Sequence, residues 1–181
     1  MQMARLDALQ AVRHDQLMRL NLRSDQLKLR RFVFPMQQNG ERALREMAEA
    51  WRDFASKDHT AASGHEIKLD LENVFLKASS LKECVINPSA GETRELWSAE
   101  MVETERRLNS AISQLMTNSM KWDHITLRPG GPMGFDDRSF LSSFREQEPM
   151  LPDQVELLRQ VAGEFMGLAI ELEARFTEFK R

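Results

Sequence analysis

Apolar side chains recur along this chain at alternating spacings of three and four residues, and that pattern constrains the fold more than any other feature. Such spacing places every member of a series on one side of an α-helix. Near the end of the sequence the series consists of Val155, Leu158, Ala162, Phe165, Ala169, Leu172, Phe176 and Phe179. Pro152 suits a first helical turn, where its missing N–H is not needed. We therefore predict a helix over residues 152–180.

Three further stretches carry the same pattern and predict helices over residues 41–62, 65–86 and 90–122. The first has Leu44, Met47, Trp51, Phe54, Ala55 and Asp58 near one face, the second has Ile67, Leu71, Val74, Ala78, Leu81 and Val85, and the third has Trp97, Met101, Thr104, Leu108, Ala111, Leu115, Asn118 and Trp122. Ser89 and Glu92 have the spacing of a capping box, which marks the start of the third helix. Asn87-Pro88 ends the helix before it.

Residues 3–31 permit two interpretations. Met3, Leu6, Leu9, Leu17, Leu20 and Leu27 share one side of a helix, although Arg13 and Ser24 interrupt the stripe. Alternatively, LNLRSDQLKLRRFVF is a hairpin in which leucines alternate around an RSDQ turn. We favour a long helix, bent near residues 21–25. The segment FVFP should leave it in an extended conformation, because a residue before proline avoids helical angles.

Together these segments predict an all-α fold, an elongated antiparallel helical bundle of about five helices with one long loop that contains glycine and proline. The short connections between helices favour antiparallel neighbours. We expect a single domain over residues 1–181, with a basic N-terminal helix over residues 3–34 and a long loop with a short helix over residues 123–151.

Composition narrows the classes of protein to consider. Hydrophobic residues make up 41% and charged residues 29% of the 181 residues, proportions that are ordinary for a soluble globular protein. The single cysteine, Cys84, permits no internal disulfide and fits a reducing cytosol. No signal peptide and no membrane span are recognisable. We expect a cytoplasmic protein without membrane association.

Charge is distributed unevenly. Residues 1–34 contain seven basic and three acidic side chains, a local charge of +4, so that of the net charge of −3 the remainder carries −7. This asymmetry indicates an acidic protein partner for the first helix, nucleic acid, or attraction between the first helix and the acidic remainder of the same chain. Because no aromatic residue that could stack on bases precedes Phe32, we do not expect nucleic acid.

The stretch KWDHITLRPGGPMGFDDRSF differs from the helical sequence on either side of it. It belongs to a connection of nearly 30 residues, a length that in compact domains is usually functional or disordered. An aspartate at 136 or 137 could cap a short helix whose apolar face contains Phe140, Leu141 and Phe144. The candidate ligand or partner contacts in this connection are His124, Arg128, Asp136, Asp137 and Arg138. A plain connector is the alternative.

A stripe of small residues, Gly163, Gly167, Ile170 and Ala174, runs along the last predicted helix. Each interior glycine costs a helix about 1 kcal/mol relative to alanine. We expect this cost to be offset by close packing against another helix of the bundle.

One pair of residues is a candidate for catalysis. Arg52 and His59, in RDFASKDH, lie seven residues apart and so on nearly the same side of a helix. The spacing resembles the arginine–histidine motif of HEPN-family ribonucleases, which are small helical bundles that act as dimers, and Asp53 matches the polar residue that follows the arginine there. The resemblance implies that arginine holds the scissile phosphate and histidine moves the proton. The alternative is a solvated arginine and a histidine at a helix C-terminus.

No metal-ligating set and no cofactor motif accompanies this pair, so we expect neither a metal nor a cofactor. We therefore predict a non-enzymatic protein–protein interaction or regulatory protein that forms a homo-oligomer. The alternative is a HEPN-like, metal-independent ribonuclease that uses Arg52 and His59.

Overall fold

A computed structural model describes the backbone of residues 2–60, 62, 64–126 and 137–178, and the side chains of residues 5–60, 62, 64–115, 141, 142 and 144–178. Five α-helices follow one another: α1 (Gln2–Ser56), α2 (Gly64–Val85), α3 (Ala99–Thr126), α4 (Asp137–Gln147) and α5 (Leu151–Glu178). Short 3-10 helices, Pro88–Leu96 and Glu148–Met150, precede α3 and α5. No strand occurs in these ranges, so the prediction of an all-α bundle is confirmed.

α1 and α2 run antiparallel to each other. Lys57 near the end of α1 pairs with Asp70 near the start of α2, at 2.7 Å. Glu46, earlier in α1, pairs with Lys77, later in α2, at 2.9 Å. Residue numbers therefore increase in opposite directions along α1 and α2. α5 packs against both α1 and α3.

One face of α1 provides the side chains that enter the core, and we call it the inner seam. Its members lie alternately three and four residues apart: Gln26, Leu29, Val33, Met36, Gly40, Ala43, Met47, Ala50 and Phe54. All nine are buried. The spacing passes through Pro35 without a shift, so burial on both sides of the proline maintains one helical register.

The prediction of two helices over residues 3–31 and 41–62 with an extended FVFP between them is wrong, and so is the hairpin alternative. α1 is a single helix of 55 residues with Pro35 inside it. A proline inside a helix costs about 3 kcal/mol or more. The buried side chains on either side of it, Val33 and Met36 among them, offset that cost. At its other end α1 stops at Ser56, six residues before the predicted end.

Asn87 connects the first 3-10 helix to α1 beside Pro35. Because proline has no N–H, the carbonyl group one helical turn before it loses its usual donor. Next to that site, the side-chain amide of Asn87 donates to the carbonyl oxygen of Phe32 at 2.9 Å. The amide oxygen of the same side chain accepts from the backbone N–H of Ser89 at 3.0 Å and so caps the 3-10 helix. Asn87 thus fastens the 3-10 helix to α1 beside the proline.

The predictions for the other helices hold in part. α2 and α5 match the predicted ranges 65–86 and 152–180 to within two residues. The helix predicted over 90–122 begins nine residues later, at Ala99, because a 3-10 helix capped by Asn87 occupies the place of the Ser89 capping box, and it continues to Thr126. The short helix expected within residues 123–151 is present as α4, in which Phe144 is buried.

The glycines of α5 do not pack against another helix. A Cβ built on Gly163 or Gly167 meets no atom within 4 Å. Gly40 of α1 is the glycine at a close approach, since a Cβ there lies 3.1 Å from Sδ of Met166 on α5. The expectation that the small-residue stripe of α5 packs inside the bundle is therefore wrong, because its two glycines lie on an exposed face.

Candidate functional site

The first half of α1 extends beyond the buried core. Every side chain from Arg5 to Ser24 is exposed, and Gln26 is the first buried one. The sequence accounts for this, because continuing the inner seam backwards from Gln26 leads through Leu22 to Arg19 and Asp15. These 20 residues, which we call the arm, form a helix about 30 Å long.

A second apolar stripe lies on the opposite face of α1, and we call it the outer seam. Its apolar members are Leu6, Leu17, Leu20, Leu27 and Phe34, whose exposed fractions all lie between 56% and 61%. The intervening positions of the same stripe are the exposed residues Gln10, Arg13, Ser24 and Arg31. Leu27 and Phe34 each precede a residue of the inner seam by two positions, which is about 200° around a helix. The two seams therefore face opposite directions.

Arginines border the outer seam on one side. Arg5, Arg19, Arg23 and Arg30 fall within about 40° of one another around the helix axis, next to the leucines. Arg19 forms an ion pair with Asp15 at 3.0 Å. This basic border accounts for much of the local charge of +4.

Lys28 connects the base of the arm to the body of the protein. Its Nζ donates to the carboxylate of Glu95 in the 3-10 helix at 3.2 Å and lies 3.6 Å from the carboxylate of Asp25. The hydrogen bond to Glu95, and then the charge of Glu95, raise the pKa of Lys28 above its ordinary value. Since the ammonium group is exposed to solvent, we assign this contact an orienting role.

His59 lies outside α1, in the turn that leads to α2. Asp58 accepts hydrogen bonds from the backbone N–H and the hydroxyl of Thr60, at 3.0 and 2.6 Å, and these bonds lower the pKa of its carboxyl group. The His59 ring contacts Phe54, at 4.4 Å between ring centroids, and Phe144 of α4, at 5.7 Å. His59 thereby connects the end of α1 to α4.

His59 lines a groove of about 360 Å³ that also borders Lys57, Asp58, Arg145 and Glu148. Nδ1 lies 3.6 Å from the carboxylate of Glu148, and the side chain is 12% exposed. Nε2 is buried and has no hydrogen-bond partner among the described residues.

Arg52 does not share this groove. It is an exposed residue of α1 that borders a separate depression with Glu49, Glu156 and Arg159. The premise that Arg52 and His59 lie on one helix is wrong, because α1 ends at Ser56. Whether RNA is cleaved is not tested by this geometry, and that alternative stays a prediction.

The candidates of the long connection stay predictions as well. His124 lies in the last turn of α3, and Asp137 and Arg138 begin α4, but their side chains are outside the described set. Arg128 and Asp136 lie outside the described residues altogether.

The described ranges contain no group of three or more His, Cys, Asp or Glu side chains that could hold a metal ion. No helix in the same ranges is long and apolar enough to span a membrane. The sequence predicts the stripe of leucines but not its place opposite the inner seam. Pro35 indicates the end of a helix, so the sequence does not predict that the inner seam continues past it.

No protein-family model, curated protein or solved structure matches the chain.

Proposed function

We propose that this chain is a non-enzymatic protein–protein interaction protein that self-associates through the outer seam of α1. The observation that carries the proposal is the arm itself, 20 consecutive exposed residues of helix with leucines along one face. Exposed leucines that recur along one helix face over this length, even with polar residues between them, are uncommon in a monomer and usually mark an interaction surface. The arm shares a shallow depression with Phe176 of α5 but has no buried side chain, and a helix of this length with so little tertiary support is only marginally stable in water, so a partner would stabilise it.

The exposed area is large enough for a reversible dimer. Each of the five apolar residues of the outer seam leaves more than half of its surface uncovered. Complete burial of such a side chain contributes about 1.5–3 kcal/mol, so covering the remainder contributes about 1–2 kcal/mol. Ten side chains in a dimer would contribute about 10–20 kcal/mol, against roughly 4–15 kcal/mol for the cost of association. At the midpoints of these two ranges the surplus is about 5–6 kcal/mol, which corresponds to a dissociation constant on the order of 100 µM.

The distribution of charge also supports a second copy of this chain as the partner. Residues 1–34, which include the arm, and the acidic remainder carry +4 and −7, the complementary charges of an interaction between copies of one chain. Cytoplasmic residence is part of the proposal, supported by the single thiol of Cys84, which forms no disulfide.

Sedimentation equilibrium over a range of micromolar concentrations tests this proposal. We expect wild type to form a dimer and the double variant Leu17→Glu/Leu20→Glu to associate more than 100-fold more weakly. Leu76→Glu is the matched control, because Leu76 of α2 is 67% exposed and lies outside the outer seam. It should dimerise as wild type does, and circular dichroism should show that all three proteins are folded.

Two results would contradict the proposal. One is a wild-type protein that stays monomeric throughout the range. The other is equal weakening by the control variant, which would indicate non-specific association. A monomer that binds vesicles of anionic lipid through the arm would assign the arm to a membrane surface instead.

A further inference from the structure

We infer that two copies pair their outer seams in an antiparallel orientation, with the two-fold axis beside residues 18 and 19. This inference rests on the proposed self-association and specifies its geometry. The outer seam has the heptad spacing of a helix pair, in which side chains of one helix fit between those of the other. The spacing alone permits parallel and antiparallel pairs, and the order of polar and apolar positions distinguishes them.

A parallel pair in register would place like charges against each other. Arg13 would face Arg13 of the second copy, and Arg31 would face Arg31. Both side chains are exposed in the single chain and lie on this face of the helix. Like charges brought together in a helix seam disfavour the pairing.

An antiparallel pair about residues 18 and 19 removes this conflict. Leu17 of each copy then faces Leu20 of the other, which gives four leucines at the centre. Farther out, Arg31 faces Leu6, Gln10 faces Leu27, and Arg13 faces Ser24. No arginine of the seam meets another arginine.

The neighbouring antiparallel registers are less favourable. A shift of one heptad in one direction sets Arg13 against Arg31. A shift in the other direction sets Leu17 against Arg13 and leaves Phe34 without an opposing residue. The central register thus keeps both the leucine contacts and the separation of charges.

The net charge of each chain beyond residue 34, the part that we call the acidic body, supports the same orientation. Beyond residue 34 each chain carries a net charge of −7. A parallel pair would place both acidic bodies at the same end of the paired helices. In the antiparallel pair they lie at opposite ends, and the basic start of each arm lies near Phe34 of the other copy, where that acidic body begins.

Cysteine pairs distinguish the two orientations. We would introduce Leu6→Cys and Arg31→Cys separately into a Cys84→Ala background, which removes the native thiol. Residues 6 and 31 face each other in the antiparallel pair, whereas the two copies of residue 6 lie about 38 Å apart along the axis. Disulfides require Cα atoms within about 7 Å.

After oxidation, we expect the mixture of the two variants to yield a mixed disulfide dimer, identified by its mass, while each variant alone yields little. Disulfide formation by each variant alone, with no mixed enrichment, would show a parallel pair and overturn the inference. A non-covalent dimer that forms no disulfide in any sample would place the contact elsewhere and also overturn it, while the proposed self-association would stand. A protein that is monomeric by sedimentation overturns both.

Discussion

Replacing Gly163, Gly167 and Gly40 with alanine, one at a time, should separate the intrinsic cost of a helical glycine from the cost of a steric contact. All three lie inside helices, so alanine gains about 1 kcal/mol in each case from helix propensity. At Gly163 and Gly167 the added methyl group enters open space. We expect the free energy of unfolding of each of these variants to be about 1 kcal/mol higher than that of wild type.

Gly40 should behave differently because its Cβ position is crowded. The methyl group would lie 3.1 Å from Sδ and 3.3 Å from Cε of Met166, and 3.6 Å from Cγ2 of Val85. Overpacking of a core costs about 1–3 kcal/mol. The flexible end of Met166 can yield a few tenths of an ångström, which places the cost near the lower limit. We expect Gly40→Ala to range from unchanged to about 2 kcal/mol less stable.

Urea denaturation followed by far-ultraviolet circular dichroism measures these differences. In thermal unfolding of a chain of this size, 1 kcal/mol corresponds to a change in Tm of about 2–4 °C. Equal stabilisation by Gly40→Ala and Gly163→Ala would refute the close approach of α1 and α5. Destabilisation by Gly163→Ala or Gly167→Ala would refute the open position of the glycines.

Four further predictions concern contacts outside the outer seam. Asn87→Asp keeps the acceptor for Ser89 but loses the donor to Phe32, so we expect a loss of about 1–2 kcal/mol at neutral pH by urea denaturation. Thr93→Val removes the acceptor of the Trp97 indole N–H, at 2.9 Å, and should cost about 1–3 kcal/mol with a change in tryptophan fluorescence. Burial raises the pKa of the Cys84 thiol, so alkylation at pH 8 should be slower than for free cysteine, and equal rates would contradict the burial. Neither wild type nor folded His59→Ala should cleave RNA, and metal-independent cutting by wild type that His59→Ala abolishes would establish the ribonuclease alternative.

The all-α class and two helices could be predicted closely because their signals are local. In α2 and α5, the apolar spacing and the terminal residues agree on the same boundaries. α4 was predictable for the same reason, since Leu141 and Phe144 follow a proline- and glycine-containing segment. Spacing of three and four is a property of helix geometry, and it needs no knowledge of the partner helix.

α1 was divided wrongly because local and tertiary effects conflict there. Pro35 is a strong local signal for a helix end, and the sequence was interpreted accordingly. Buried residues before and after it, such as Leu29 and Met47, stabilise a continuous helix by far more than about 3 kcal/mol. The donation from Asn87 to Phe32 joins residues 55 positions apart and has no signature in the local sequence.

The sequence indicates which residues are candidates for a site, but it does not predict where they lie relative to one another. The proximity of Arg52 and His59 was inferred from a helix that ends before His59, and one misplaced boundary was enough to separate them. The packing of His59 between Phe54 and Phe144 depends on how α4 meets the end of α1, which spacing does not specify. The leucine stripe was recognised, but its exposure depends on where the rest of the bundle ends.

The two seams of α1 overlap along the chain, and this overlap would connect association to folding. The inner seam begins at Gln26 and the outer seam ends at Phe34, so the turns between these residues face the core on one side and the proposed second copy on the other. A partner bound there would contact the same turns that carry Leu29 and Val33. Arm residues before Gln26 have no buried side chains and are stabilised mainly by continuation of the helix, an effect that weakens with distance from the core. Pairing of the outer seams would therefore order the arm and reinforce the start of the core at once, because one rigid helix participates in both.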